Sequence, residues 1–171
     1  NRNNVYKNFG YNYFFDSSYF NTDPDNVLQY GLKDKLLFGE SIKYLEQLQQ
    51  PFYTKFITVT NHFPFPLPEK DGDFPRATTD NTAVNNYFAT AHYLDQSLEE
   101  FFNYLKASGL YDNSMIVLYG DHYGLSNSDN KALLSVLGRD PETWTDYDNA
   151  QLQRVPYMIH MNGLKGGIQK Q

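Results

Sequence analysis

The stretch SMIVLYGDHYG, residues 114–124, decides the fold and carries the first functional signal. The apolar run near its start predicts a buried β-strand over residues 114–119. Asp121 and His122 follow this strand directly, between two glycines that allow close backbone approach. A carboxylate oxygen beside an imidazole nitrogen suits a divalent ion such as Mn²⁺ or Zn²⁺. An isolated Asp-His pair is commoner in surface turns, and two ligands do not complete a metal site.

Two further segments predict strands. Residues 52–60 form a nearly continuous apolar run after Pro51, and residues 151–160 include a shorter one. Helical spacing of apolar residues predicts helices in two pieces over 25–49, over 80–108 and over 130–137. Residues 1–20 show no clear period and are predicted to be irregular, with short extended pieces at 11–15. Strands alternating with helices predict an α/β fold, layered α/β/α with a mostly parallel sheet.

Composition excludes several classes of protein. Fourteen basic and 20 acidic residues give a net charge of −6, which argues against a nucleic-acid-binding protein. The chain has no cysteine, so disulfides, thiolate catalysis and a cysteine-based zinc site are excluded. The apolar runs are too short to cross a bilayer, and no signal peptide is visible. The first residue is Asn1 rather than Met, so we expect the chain to begin inside a longer protein.

The other histidines give weaker signals. His62 ends the first predicted strand, where it could bind a phosphate oxygen or transfer a proton. A histidine that only makes hydrogen bonds in a proline-rich loop is an equally good reading of that position. His92 lies within the long helix and is predicted to be structural or exposed. His160 ends the third predicted strand, and a packed histidine is the favoured reading there.

A phosphate ester would also need cationic side chains. Arginine is favoured for bidentate contacts, and Arg2 is a candidate that local pattern does not test. Lys33 and Lys35 flank an aspartate on a predicted helix and are expected to be solvated, whereas Arg154 is expected at an edge or in an ion pair. No serine or threonine sits in a recognisable nucleophile setting. The remaining candidate cations are Lys7 and Arg139.

The segments TNHFPF at 60–65 and YGDH at 119–122, together with NR at 1–2 and GLKD at 31–34, form a recognisable set. With these segments the sequence resembles the extracellular catalytic domain of lipoteichoic acid synthases, within the sulfatase and alkaline phosphatase superfamily. The resemblance covers almost the whole chain, and the TNHFPF and YGDH segments together make it specific. The matching stretches are NR at 1–2, VYK at 5–7, FGY at 9–11, GLKD at 31–34, PFY at 51–53, ITVTNHFPF at 57–65, YLD at 93–95, GLYDNS at 109–114, LYGDH at 118–122 and VP at 155–156.

The resemblance implies specific roles. Asp121 and His122 match the family's pair that binds a catalytic Mn²⁺ (or Mg²⁺). His62 and Arg2 match residues of the pocket that holds the glycerol phosphate. In the family a threonine attacks phosphatidylglycerol, diacylglycerol leaves, and the glycerol phosphate passes to a polyglycerolphosphate chain. Residues 1–171 are then the later part of a single sulfatase-like catalytic domain, incomplete at both ends.

The same resemblance implies what lies outside the chain. The nucleophilic threonine and a further acidic metal ligand are expected upstream of Asn1, so the 171-residue chain alone is expected to be inactive and to bind metal weakly at best. The parent protein is expected to be anchored by upstream membrane helices and to work on the extracellular face of the membrane, and release by proteolysis is left open.

Two alternatives stay open. A sulfatase or phosphodiesterase of the same superfamily would use the same Asp-His pair and deliver water to the covalent intermediate. A non-catalytic module could instead recognise the glycerol-phosphate polymer through Arg2, His62 and tyrosines. The TNHFPF loop and the opening Asn-Arg favour the transferase.

Overall fold

A computed structural model describes residues 2–168, and at Arg2 the description covers the backbone alone. Nine helices and strands are found in this part of the chain, together with four short 3-10 turns. In chain order they are α1 (Arg2–Asn8), β1 (Val27–Leu28), β2 (Gly31–Leu32), α2 (Asp34–Leu45), α3 (Thr82–Ala107), β3 (Met115–Tyr119), α4 (Asn130–Leu137), α5 (Asp146–Leu152) and β4 (Tyr157–Met161).

The packing of α2 on α3 forms the main core. Phe38 of α2 stacks on Phe101 of α3 with ring centroids 4.7 Å apart, and Phe56 meets both rings at 5.3 Å. Leu45 and Leu105 complete the buried cluster. Offset and edge-on contacts among three phenyl rings bury a large apolar area and add favourable ring-ring interactions. This core fixes α2 against α3.

The predicted helix over 80–108 is confirmed as α3. The Asn81 side chain caps its start by accepting a hydrogen bond from the Val84 amide at 3.1 Å, and Gly109, with φ of 76°, follows its end. Its buried line includes two small hydroxyl residues that the apolar stripe did not predict. Thr90 and Ser97 are fully buried and their hydroxyls are hydrogen-bonded, Ser97 to the carbonyl of the preceding helical turn and Thr90 to a side chain outside the helix.

The helix prediction over 25–49 is half right. Its second piece is α2, but the first piece is a turn followed by the two-stranded hairpin of β1 and β2. Gly31 explains part of the difference, because a Cβ at this position would lie 3.3 Å from the Val59 side chain. The chain therefore passes close to the following loop here, and this close approach favours glycine over a helix-forming residue.

The strands pair differently from the mostly parallel sheet that was predicted. Within residues 2–168 both pairings are antiparallel, β1 with β2 and β3 with β4. An apolar run predicts a strand but carries no information on the direction of its neighbour. The predicted strand over 114–119 is confirmed as β3, but the prediction that it is buried is wrong, because Met115, Val117 and Tyr119 are exposed. The predicted strand over 151–160 is shifted. Its first two residues belong to α5, and β4 begins at Tyr157.

Residues 52–60 have no strand partner in the part of the chain that the structure describes, so the predicted first strand is not found there. Phe52 and Phe56 instead turn their rings onto the α2–α3 core. Apolar side chains that serve this core account for the run without any backbone ladder, which the sequence pattern alone does not test.

Two short helices complete the comparison with the predicted elements. The prediction of an irregular segment over 1–20 is wrong for α1, which ends at a tight turn before Gly10, with φ of 86°. The Tyr6 ring of α1 packs on Tyr11 and Phe14 with centroids 5.3 and 5.6 Å apart. The helix predicted over 130–137 is confirmed as α4.

Candidate metal and phosphate site

Asp121 and His122 lie on the loop that follows β3, as predicted. Their side chains are 81% and 56% exposed, and the Asp121 Oδ1 atom is 3.7 Å from His122 Nε2. That distance is too long for a hydrogen bond but places both polar atoms on the same side of the loop. The pair is therefore presented to solvent rather than buried in a structural role.

The neighbouring carbonyl fixes the orientation of the His122 ring. His122 Nδ1 lies 2.7 Å from the carbonyl oxygen of Tyr123. Because a carbonyl oxygen only accepts, Nδ1 must carry the proton, and the neutral ring then has its lone pair on Nε2. Nε2 and the Asp121 carboxylate are then two acceptors that face a common space, an arrangement that suits a shared cation.

His62 repeats this local geometry and lies next to His122. Its Nδ1 atom is 2.8 Å from the carbonyl oxygen of Phe63, so its neutral ring also has the lone pair on Nε2. The two imidazole rings are 5.6 Å apart between centroids and nearly perpendicular. The structure thus brings together three of the four residues singled out in the sequence.

Arg2, the fourth, has a side chain outside the described part of the structure. The helix α1 begins at this residue, and its predicted contact with phosphate stays a prediction.

The loop that carries His62 is held from both sides. On one side the Thr60 hydroxyl accepts a hydrogen bond from the Asp34 amide at 2.9 Å. On the other side the Thr90 hydroxyl of α3 donates to the Asn61 side-chain oxygen at 2.7 Å. Phe65, fully buried with φ of 60°, packs edge-on against the Tyr87 ring at 5.1 Å. Buried contacts on both flanks restrict where the His62 ring can lie.

Glycine determines the path of the second loop. A Cβ on Gly124 would lie 2.5 Å from the Tyr87 ring, and a Cβ on Gly120 would lie 2.9 Å from Val155. Both distances are well inside van der Waals contact, so side chains larger than hydrogen would force a shift. The Gly120 amide also donates to the Pro156 carbonyl at 3.1 Å, which continues the pairing of β3 with β4. The Tyr87 ring therefore packs against both loops, at Phe65 in the first and at Gly124 in the second.

A cleft of ≈ 310 Å³ adjoins both loops. Its walls combine two aromatic rings with hydroxyl groups and one carboxylate. Asp129, the carboxylate, already accepts from the Ser126 amide at 2.9 Å and from the Asn81 side chain at 2.9 Å. The lining residues are Phe63, Tyr123, Gly124, Ser126, Ser128 and Asp129.

Two contacts near His62 were missed by the sequence reasoning. The Tyr30 ring, in the turn between β1 and β2, meets the His62 ring edge-on at 4.5 Å. Asp34 is fully buried and accepts from the Val59 and Thr60 amides. Burial raises the pKa of Asp34, and the amide hydrogen bonds act in the opposite direction. An aspartate at the start of a helix was a sequence signal that could have pointed to Asp34. No sequence pattern indicated that Tyr30 lies beside His62.

The other histidines and the other candidate cations contact residues other than His62, Asp121 and His122. His92 Nε2 lies 3.2 Å from the Asp73 carboxylate, and the His160 ring stacks on the Tyr111 ring at 3.9 Å between centroids, in line with the prediction of a packed histidine. The expectation that Lys33 is solvated is wrong, because it is buried and paired with Asp71 at 2.6 Å. Lys35 contacts Glu100, Arg139 contacts Asp148, Arg154 contacts Gln151 and Lys7 lines a separate polar cleft beside α1.

Asp121 and His122 provide some of the ligand atoms that a divalent ion requires. Asp121 supplies a hard oxygen and His122 an imidazole nitrogen, both accessible and already oriented. Within residues 2–168, however, no group of three or more His, Cys, Asp or Glu side chains is placed to enclose an ion. Within the described residues the two side chains do not complete an ion site, and their role as metal ligands stays a prediction.

Comparison with known proteins places the chain among relatives. Residues 1–171 match the Sulfatase family. Lipoteichoic acid synthases 2 and 1 from Bacillus subtilis (strain 168) are 58% and 53% identical to the chain, over 97% and 98% of its length. The lipoteichoic acid synthase from Staphylococcus aureus (strain USA300) is 45% identical over 98% of it. The chain spans only 25–26% of the length of these curated relatives.

A solved structure supports the fold class. A protein in the alkaline phosphatase superfamily from Vibrio parahaemolyticus superposes with a TM-score of 0.55 at 22% identity, covering 84% of this chain and 31% of that one. The α/β fold class predicted from the sequence is confirmed, and so is the resemblance drawn from the sequence motifs. The chain belongs to the sulfatase family and is similar over nearly its whole length to lipoteichoic acid synthases.

Proposed function

We propose that this chain supplies part of the active site of a phosphoglycerol transferase that moves glycerol phosphate from phosphatidylglycerol to a polyglycerolphosphate chain. The observation that carries the proposal is the identity of 45–58% to lipoteichoic acid synthases across the segment that contains both His62 and the Asp121–His122 pair. Residues 1–171 would be the later part of a single catalytic domain of the parent protein.

Asp121 and His122 would hold a Mn²⁺ (or Mg²⁺) ion together with an acidic residue from elsewhere in the parent. When bound, such an ion supplies positive charge for the phosphoryl oxygens and makes a coordinated hydroxyl more acidic. The Nδ1–carbonyl hydrogen bond of His122 keeps its Nε2 lone pair directed outward, so the ring needs no rearrangement to act as a ligand.

His62 would bind the glycerol phosphate beside the ion. With Nδ1 donating to Phe63, its neutral Nε2 accepts a hydrogen bond from a glycerol hydroxyl, and its protonated Nε2–H donates to a phosphate oxygen. Arg2 would add a bidentate contact to the phosphate. The aromatic-walled cleft beside His62 has the room and the hydroxyl groups for the glycerol portion.

The parent protein would be anchored in the membrane by helices outside this chain and would act on the extracellular face, where phosphatidylglycerol and the growing polymer meet. Within residues 2–168, no helix combines the length and the apolar composition that a membrane span requires. The nucleophilic threonine would come from another part of the parent protein, and we expect the 171-residue chain alone to release no diacylglycerol.

The test is a chimera in which residues 1–171 replace the matching segment of the Bacillus subtilis lipoteichoic acid synthase 2. The chimera, incubated with Mn²⁺ and a fluorescent phosphatidylglycerol, should release fluorescent diacylglycerol and extend a glycerol-phosphate acceptor. His122→Ala should abolish release, whereas the same substitution at His92, which lies in α3 and contacts Asp73, should retain it. A folded chimera without turnover, or full activity of the His122→Ala protein, would contradict the proposal.

A hydrolase is the second candidate, because the family matched by the whole chain is named Sulfatase. The same assay separates the two functions by the fate of the phosphoryl group. A transferase attaches glycerol phosphate to the acceptor, whereas a hydrolase releases free glycerol phosphate at the same rate with and without acceptor. A protein that binds glycerol phosphate but releases neither product would be a binding module.

A further inference from the structure

Asp34 makes a compact set of hydrogen bonds with the start of the His62 loop. Its carboxylate oxygens accept from the Val59 amide at 2.9 Å and from the Thr60 amide at 3.2 and 3.3 Å. Its own amide donates to the Thr60 hydroxyl at 2.9 Å. These bonds join residues 25 or 26 positions apart, and both Asp34 and Thr60 are fully buried. The contact therefore fixes a long-range position rather than a local turn.

The charge of Asp34 is met by backbone amides rather than by its lysine neighbours. Lys33 reaches Asp71 at 2.6 Å, and Lys35 reaches Glu100 at 2.9 Å. Asp34 is the first residue of α2, where the helix dipole favours a negative charge. Burying a carboxylate costs free energy. The Asp34 carboxylate offsets this cost by accepting hydrogen bonds from backbone amides that an apolar side chain would leave unpaired.

The restraint passes directly to His62. The His62 amide donates to the Val59 carbonyl at 3.2 Å, so the two residues belong to one turn. Asp34 holds the amide at the start of that turn, and the Asn61 side chain between them accepts from Thr90. The far end of the loop is held by Arg76, which donates to the Leu67 carbonyl and to Asn86. Without the Asp34 carboxylate, the Val59 and Thr60 amides would lose these hydrogen bonds.

We propose that Asp34 is a positioning residue that holds His62 at the distance from His122 needed for glycerol-phosphate binding, an inference that rests on the proposed function. Asp34 touches no substrate and acts through Val59 and Thr60. Its carboxylate matters more than its shape, because Asp34→Asn keeps one accepting oxygen but places an NH₂ group where the second oxygen accepts from the Thr60 amide at 3.3 Å.

The activity arm uses the chimera with Bacillus subtilis lipoteichoic acid synthase 2. Asp34→Asn should lower kcat/KM for phosphatidylglycerol by about 10-fold while the affinity for Mn²⁺ stays unchanged, because small displacements of a binding group are costly to rate. Thr60→Ser keeps the hydroxyl and should retain activity, whereas Thr60→Val should lose it like Asp34→Asn. Leu105→Ala, in the α2–α3 core, serves as the control for a general loss of stability.

A second arm uses the 171-residue chain and does not depend on turnover. Nitrogen chemical shifts of the histidine rings should change at His62 in the Asp34→Asn chain and stay constant at His92 in the same sample. Unchanged His62 shifts, or equal activity loss in Asp34→Asn and a Leu105→Ala protein of matched Tm, would overturn the positioning role. An inactive chimera with unaltered Asp34 would contradict the proposed function alone, because the shift measurement still decides the role of Asp34.

Discussion

The two loops that meet at the His62–His122 contact are built in opposite ways. The His62 loop, residues 59–65, is held by groups with almost no exposure, among them Asp34, Thr60 and Phe65. The Asp121–His122 loop, residues 120–124, carries side chains that are 81% and 56% exposed and is shaped by two glycines. The first loop is fixed by hydrogen bonds and packing. The path of the second loop depends on two glycines at positions where a Cβ would clash.

This difference separates two kinds of sensitivity. In the His62 loop, substitutions away from the site should act through geometry, because the imidazole position depends on buried partners. In the Asp121–His122 loop, substitutions of the polar residues should act on ion binding directly and leave the fold intact, because exposed side chains contribute little to stability. The predictions below test this separation.

The largest effect is expected at the exposed loop. Asp121→Ala in the chimera should lower kcat/KM for diacylglycerol release by about 1,000-fold, the loss that several kcal/mol of metal-derived stabilisation corresponds to. Its Tm should match that of the unaltered chimera, because the removed side chain is exposed. Asp112→Ala, in the exposed turn before β3, is the matched control and should leave both quantities unchanged. A large Tm loss in Asp121→Ala would show that Asp121 contributes to stability, as the buried residues of the His62 loop do, and would contradict the difference between the two loops.

The glycine contact should give an intermediate effect. Gly124→Ala places a Cβ 2.5 Å from the Tyr87 ring, and the resulting overpacking should destabilise the 171-residue chain by about 1–3 kcal/mol. Gly39→Ala, in the exposed face of α2 with open space around it, should instead stabilise by about 0.5–1 kcal/mol. Thermal unfolding followed by circular dichroism measures both changes. Equal Tm values for the two variants would mean that Tyr87 does not constrain the second loop.

The smallest effect is expected at the aromatic contact with His62. Tyr30→Ala should raise KM for phosphatidylglycerol about 3- to 10-fold, because an aromatic pair contributes about 0.5–1.5 kcal/mol. Tyr30→Phe keeps the ring and should leave KM unchanged. Steady-state kinetics of the chimera distinguish the two variants. Equal KM values for the Ala and Phe variants would show that the Tyr30 ring does not contribute to phosphatidylglycerol binding.

The sequence predicted the features that depend on local pattern. The long helix α3, the helix α4 and the strand β3 were each indicated by periodicity, capping or an apolar run. The Asp121–His122 pair was placed correctly after β3, because its position follows from the end of that strand. His62 was singled out because it ends a predicted strand, where ligands bind in α/β sheets, although no strand over 52–60 is found within residues 2–168.

The rest depended on partners that a local pattern does not show. Residues 52–60 were predicted as a strand, but their phenylalanines pack on the core and no ladder forms within residues 2–168. Strand direction was missed for the same reason, since β3 and β4 pair antiparallel. Asp34 was passed over because its partners lie 25 or 26 residues away. Long-range contacts of this kind decide the site and leave no periodic signal.

The affinity of the chimera for Mn²⁺, measured by electron paramagnetic resonance, tests most directly the claim that Asp121 and His122 hold the ion. His122→Ala should weaken Mn²⁺ binding at least about 10-fold, because it removes an oriented imidazole ligand. His92→Ala, which removes a histidine of α3 that contacts Asp73, should bind Mn²⁺ as tightly as the unaltered chimera. Equal Mn²⁺ affinity in the unaltered and His122→Ala proteins would contradict the account.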